Sequence, residues 1–170
     1  GYSGQICGRA DWGGFVPAVF DYLRPDGYFK RHEAEITQLN KDIKAQSLHV
    51  IDADSAKRRE RAADKRPTFA KGKREGESDY DYVSRRQFEN AELHRWKLRQ
   101  REAEESVVKE KDRLAQLKTL RRQKSDDLQR WLFRQFRMLN SKGESKDLIE
   151  IRGGDIPPAG SGECCEPRLL

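Results

Sequence analysis

The sequence predicts an all-α fold: a long antiparallel helical hairpin, paired as a coiled coil, on a small base formed by the two chain ends. Two observations predict it. The stretch from Asp79 to Asn140 contains no Gly and no Pro. Within it Leu93, Trp96, Gln100, Ala103, Val107, Glu110, Leu114, Leu117, Arg121, Lys124, Leu128 and Trp131 follow alternating steps of three and four, and most of them are apolar. That is the 3.5-residue seam of a coiled-coil helix. At 1.5 Å per residue such a helix spans roughly 90 Å, so it reads as an arm whose seam needs a partner.

The partner is predicted upstream. From Tyr28, the residues Phe29, His32, Ile36, Leu39, Ile43, Gln46, Val50 and Ala53 keep the same spacing. This first arm is predicted to end near Arg66, because Pro67 disfavours helix at the residue before it. Ser47 to Asp54 is weaker helix, with β-branched Val50 and Ile51, and is a place for a break or kink. The stretch 67–79, with Pro67, Gly72 and Gly76, is predicted as the tip joining the arms.

The remaining segments form the base. Residues 1–27 are Gly-rich at first, with a turn at Asp11-Trp12-Gly13-Gly14, a short helix starting at Pro17 and a turn at Pro25-Asp26-Gly27. Six aromatics lie between Trp12 and Phe29, and their bulk predicts a packed knot. The arm occupies 28–140, where Ser141-Lys142-Gly143 stops the helix. In the segment 141–170, Asp147 to Ile151 reads as a short strand or helical turn, followed by an irregular Gly/Pro-rich tail. The second arm is longer than the first. Its excess is predicted to pack on the N-terminal knot, on the C-terminal segment or on a second copy of the chain.

Composition narrows the function classes. Charged residues make up 38% of the 170 and outnumber the 35% hydrophobic ones, which suits an elongated helical protein better than a large-cored globule. A net charge of +6 favours an acidic partner, nucleic acid before an anionic membrane. No apolar run is long enough to span a bilayer. An odd cysteine count, with Cys164 and Cys165 adjacent, is no disulfide framework, and a cytoplasmic location is predicted. The first residue is Gly, and the chain stops within the motif-like Arg168-Leu169-Leu170, so it reads as a piece of a longer protein.

Positive charge is concentrated twice. Lys57 to Arg74 holds nine basic residues against Glu60 and Asp64, and Arg113 to Arg137 holds eight against Asp126 and Asp127. The candidate nucleic-acid contacts are Arg121, Arg122, Lys124, Arg130, Arg134 and Arg137, interleaved with Trp131, Phe133 and Phe136. The spacing of Arg130, Arg134 and Arg137 by four and three predicts one shared helical face. A solvated coiled-coil surface with ordinary ion pairs accounts for the same charges. No catalytic constellation is predicted. His32, His49 and His94 stand apart, no phosphate loop or nucleophile elbow is present, and neither metal nor cofactor is predicted.

Three stretches carry a resemblance: Asp11 to Asp21 (DWGGFVPAVFD), Leu128 to Asn140 (LQRWLFRQFRMLN) and Pro157 to Leu170 (PPAGSGECCEPRLL). Together, and in this order, they resemble the N-terminal coiled-coil extension of bacterial pseudouridine synthases of the RluA type. The resemblance covers the two ends of the chain, and the middle is similar only in being charged and helical. It implies a non-catalytic fragment of an enzyme that isomerises uridine in structured RNA without cofactor or metal. The family's His-Arg-Leu-Asp catalytic motif is missing, since His94-Arg95 is followed by Trp96-Lys97. The predicted role is therefore an accessory arm that engages rRNA or tRNA. The alternative is a structural coiled coil for homodimerisation or protein docking.

Overall fold

The computed structural model describes residues 7, 9, 12–15, 20–158 and 160–162. The predicted short helix at Pro17 and the Cys164-Cys165 pair lie outside the described residues. The elements are α1 (Tyr28–Ala63), α2 (Asp79–Gln135), β1 (Arg137–Leu139), β2 (Ser145–Asp147) and α3 (Leu148–Ile151). The protein is mostly helical, with two long helices packed together. The chain divides into two compact units, one from the described residues of Gly1–Lys41 and Lys118–Leu170, the other Asp42–Leu117.

In the second unit the helices meet along the three-four register. Gln46 is buried and donates its amide to the Glu110 carbonyl at 3.2 Å and to the Glu110 carboxylate. Lys57 and Arg61 both pair with Glu104, and Arg61 also donates to Gln100 at 3.3 Å. Val107 is buried, and Ala103, Glu110, Leu114 and Leu117 are half-buried. Positions between them, such as Leu98 and Val108, are exposed. Helix α1 runs unbroken through Ser47 to Asp54, so the β-branched pair there produces no break. Hydrogen bonding along the helix and packing outweigh the few tenths of a kcal/mol that each such residue costs.

Helix α1 stops at Ala63, three residues before the predicted end. Asp64 closes it. Its N–H bonds back to the Glu60 carbonyl at 2.7 Å, and its own carbonyl and carboxylate are taken by Trp96 and Arg99 of α2.

The first unit contains the core cluster: Leu132, Phe133 and Phe136 with Leu148 and Ile149. Phe20, Tyr22, Phe29, Trp131, Met138 and Ile156 pack against it. Edge-to-face ring pairs join Phe20 to Trp131 at 5.7 Å, Tyr22 to Phe29 at 5.1 Å and Tyr22 to Phe136 at 6.3 Å. Both the N-terminal and C-terminal segments thus cover the last turns of α2. Of the six aromatics predicted to form a knot, Trp12 and Phe15 are instead exposed, and Tyr28 stacks partly exposed on Trp131 and His32.

Helix α2 ends at Gln135, five residues before the predicted Asn140. Arg137–Leu139 leaves it to pair antiparallel with Ser145–Asp147, with Arg137 opposite Asp147. The turn between the strands explains the early end. The Asn140 side-chain oxygen accepts the N–H groups of Lys142 and Glu144, both at 2.9 Å, and Gly143 takes φ +80°. Asn and Gly favour that conformation over another helical turn. The small ladder is a β element inside a chain predicted to be all-α. Asp147 then caps α3: its carboxylate accepts the Glu150 N–H, and the Glu150 carboxylate accepts the Asp147 N–H, both at 2.8 Å.

Candidate functional site

The six candidate basic residues all fall in the first unit, on the last turns of α2 and just beyond, but they do not form one patch. Arg121 and Arg130 are nine positions apart, which at about 100° per residue sets them on opposite sides of α2. Arg130 and Arg134, four apart, do share a side. Both are exposed, and among the described residues neither has a hydrogen bond or ion pair. Arg121 is likewise exposed and unpaired among the described residues. Arg122 leans toward Asp126 at 3.9 Å.

Two of the six are committed elsewhere. Lys124 donates to the Glu35 carboxylate at 2.7 Å, tying α1 to α2, and this contact holds the Glu35 carboxyl below its usual range. Arg137 is not on the helix with Arg130 and Arg134, as the spacing predicted, because the chain has turned into β1. Its guanidinium donates to the Ser145 hydroxyl and to the Ser145 carbonyl, both at 3.1 Å.

The interleaved aromatics have a structural job. Phe133 and Phe136 are buried, and Trp131, half-buried, packs on the core with Phe20 and Tyr28 against its ring. They anchor the helix end, and Arg130 and Arg134 project from a held surface. Exposed, unpaired guanidiniums on a fixed backbone make forked donors for phosphate oxygens at no cost in broken ion pairs.

A second charged site, which sequence reasoning missed, lies at the connection between α1 and α2. Arg85 donates Nε and Nη2 to the two Glu77 carboxylate oxygens at 2.7 and 2.8 Å, Nη1 to Glu89 at 2.8 Å, and Nη2 to the Gly72 carbonyl at 2.9 Å. Arg85 and the Arg74 backbone N–H pull the Glu77 carboxyl down to about 2. The pair Arg85 and Glu89, at i and i+4, was the available signal. The partners Gly72 and Glu77 are set by the loop's path, which no periodicity encodes.

Among the described residues no group of three or more His, Cys, Asp or Glu could hold a metal ion. No helix among them is long and apolar enough to cross a membrane. No family model, curated protein or solved structure matches the chain.

Proposed function

We propose that this chain is an RNA-engaging helical arm, an accessory segment of a pseudouridine synthase of the RluA type, without catalytic residues of its own. The two long helices act as an antiparallel coiled-coil hairpin. Support for that arrangement comes from the second unit, where Gln46, Arg61 and Asp64 of rising number pair with Glu110, Glu104 and Arg99 of falling number. The parent family is supported by the resemblance of the two chain ends. The RNA contact is carried by one observation: Arg130 and Arg134 stand exposed and unpaired among the described residues, on a helix end whose other side is locked in the core. Arg121 and Arg122, on other sides of α2, would meet a backbone that passes around the helix or a second strand.

Fluorescence anisotropy of the protein with a structured RNA, across a salt series, tests this. Affinity should fall steeply with salt, by about 0.7–0.9 log units per phosphate contact for each tenfold rise. R130Q/R134Q should flatten the slope by about two contacts. An unchanged slope removes these residues from the RNA surface. A dimer that is insensitive to salt and ignores RNA would replace the reading with a structural coiled coil.

A further inference from the structure

The first turns of α2 carry large side chains off the three-four register. Carried back from Leu93, the register passes through Glu89, Arg86 and Tyr82, which are buried or half-buried. Tyr80 and Phe88 fall outside it and are 80% and 63% exposed. Eight residues set them about 12 Å apart along the helix axis. Val83, 52% exposed, adjoins Tyr80 at three residues, while Ser84 lies four residues from both Tyr80 and Phe88, so a polar side chain separates the two rings.

The connection to α1 brings cations to the same end of this unit. Lys65, Arg66 and Lys71 are exposed, and among the described residues none has an ion pair. Of the acids nearby, Glu77 is paired with Arg85 and Asp79 with Lys73 at 2.8 Å, while Asp81, which accepts the Ser78 hydroxyl at 2.6 Å, and Glu75 keep their charge. Through Gly72 and Glu77, Arg85 fixes the loop that follows Lys71 against α2. Gly72 on Arg85 and Lys73 on Asp79 hold the loop around Lys71 at the first turns of α2, whereas Lys65 and Arg66 follow Asp64, which lies against Trp96 and Arg99, about 12 Å along the axis from Phe88.

Exposed aromatic faces with unpaired cations spread over the same end of the unit suit unpaired nucleotides. Bases stack on any ring face, and phosphates meet the ammonium and guanidinium groups. A protein partner would favour a contiguous apolar patch, and Ser84 separates Phe88 from Tyr80 and Val83. We infer that this end of the Asp42–Leu117 unit is a second RNA contact, specific for single-stranded segments, with Tyr80 and Phe88 stacking bases and Lys65, Arg66 and Lys71 taking phosphates. It rests on the reading that the chain engages RNA, but on a different surface.

The test uses the whole chain, a fluorescein-labelled oligouridylate and a blunt-ended RNA duplex. Y80A/F88A should weaken oligouridylate binding by at least about tenfold and leave duplex binding unchanged. Y80F/F88Y should bind as the parent does, because the ring faces remain. R130Q/R134Q should weaken duplex binding. Equal oligouridylate affinity for the parent and Y80A/F88A overturns this inference alone. So does sedimentation showing self-association that Y80A/F88A abolishes while RNA binding is unchanged, which would give the face to a second copy of the chain. A parent protein that binds neither RNA overturns both readings.

Discussion

The Trp96 indole N–H donates to the Asp64 backbone carbonyl at 2.9 Å, joining the residue that closes α1 to the first third of α2. Arg99, three residues on, grips the Asp64 carboxylate through Nε and Nη2, both at 3.0 Å. Side chain and backbone of one aspartate are thus held by one turn of the other helix. A helix end with orphan carbonyls gains most from such a partner. Trp96→Phe keeps the ring but removes the donor. It should cost about 0.5–1.5 kcal/mol in urea unfolding, with an unchanged m-value. No loss would mean that water replaces the indole at no cost.

The Glu77–Arg85 contact makes the connecting loop sensitive to acid. The folded Glu77 pKa, about 2, lies below the ordinary glutamate value of roughly 4.3. The unfolded loop therefore binds the proton more readily. The contact's contribution is complete above about pH 5 and is lost as pH falls through the range from 4 to 2. The Arg74 N–H, which donates to Glu77 at 2.9 Å, is the reporter. Its hydrogen exchange, corrected for intrinsic rate, should accelerate over that range in the parent and be fast throughout in R85Q. A parent amide that is equally protected at pH 5 and pH 2 contradicts this.

Gly162 is buried against the core of the first unit, at φ +85°. A Cβ there would lie 2.9 Å from Leu148 Cδ1 and 3.0 Å from Phe136 Cγ. Both neighbours belong to the buried cluster, so neither can swing into solvent. Backbone strain and overpacking together should make Gly162→Ala cost about 1–3 kcal/mol or more by thermal unfolding. Gly143→Ala shares the positive φ but meets nothing within 4 Å, and should cost less.

Leu39 and Ile43 are half-buried on the register face of α1. Full burial would predict a loss of 2–5 kcal/mol for either residue changed to Ala. Half-exposed sites keep part of their surface in water and leave no closed cavity, so about 1–2 kcal/mol each is the expected cost. Calorimetry on the two single variants and the double would measure it. A double variant with the parental transition would take these residues out of the helix pairing.

Much of the helical register was legible in the sequence. Each α1 position from Phe29 to Ala53 that the three-four steps selected is buried or half-buried, and on α2 only Arg121 of the selected positions is exposed. Periodicity reports which side of a helix meets apolar surface, and that needs only local information. Helix ends were less legible. Asp64 stops α1 because of Trp96 and Arg99, which lie more than thirty residues away. Arg137 leaves α2 because Asn140 and Gly143 build a turn that lets β1 meet β2. The same limit governs the basic residues. Charge density nominated the candidate residues, but Lys124 is spent on Glu35 and Arg137 on Ser145, and only three-dimensional proximity separates those from Arg130 and Arg134.

Asp147 is at once the last residue of β2, facing Arg137 across the ladder, and the N-cap of α3. Such a shared residue leaves no hinge between strand and helix. Neither element is long enough to persist alone, so fraying of the ladder releases the cap, and loss of the cap frees the ladder. The segment from Arg137 to Ile151 is accordingly expected to open as one cooperative unit, which would take Leu148 and Ile149 out of the core.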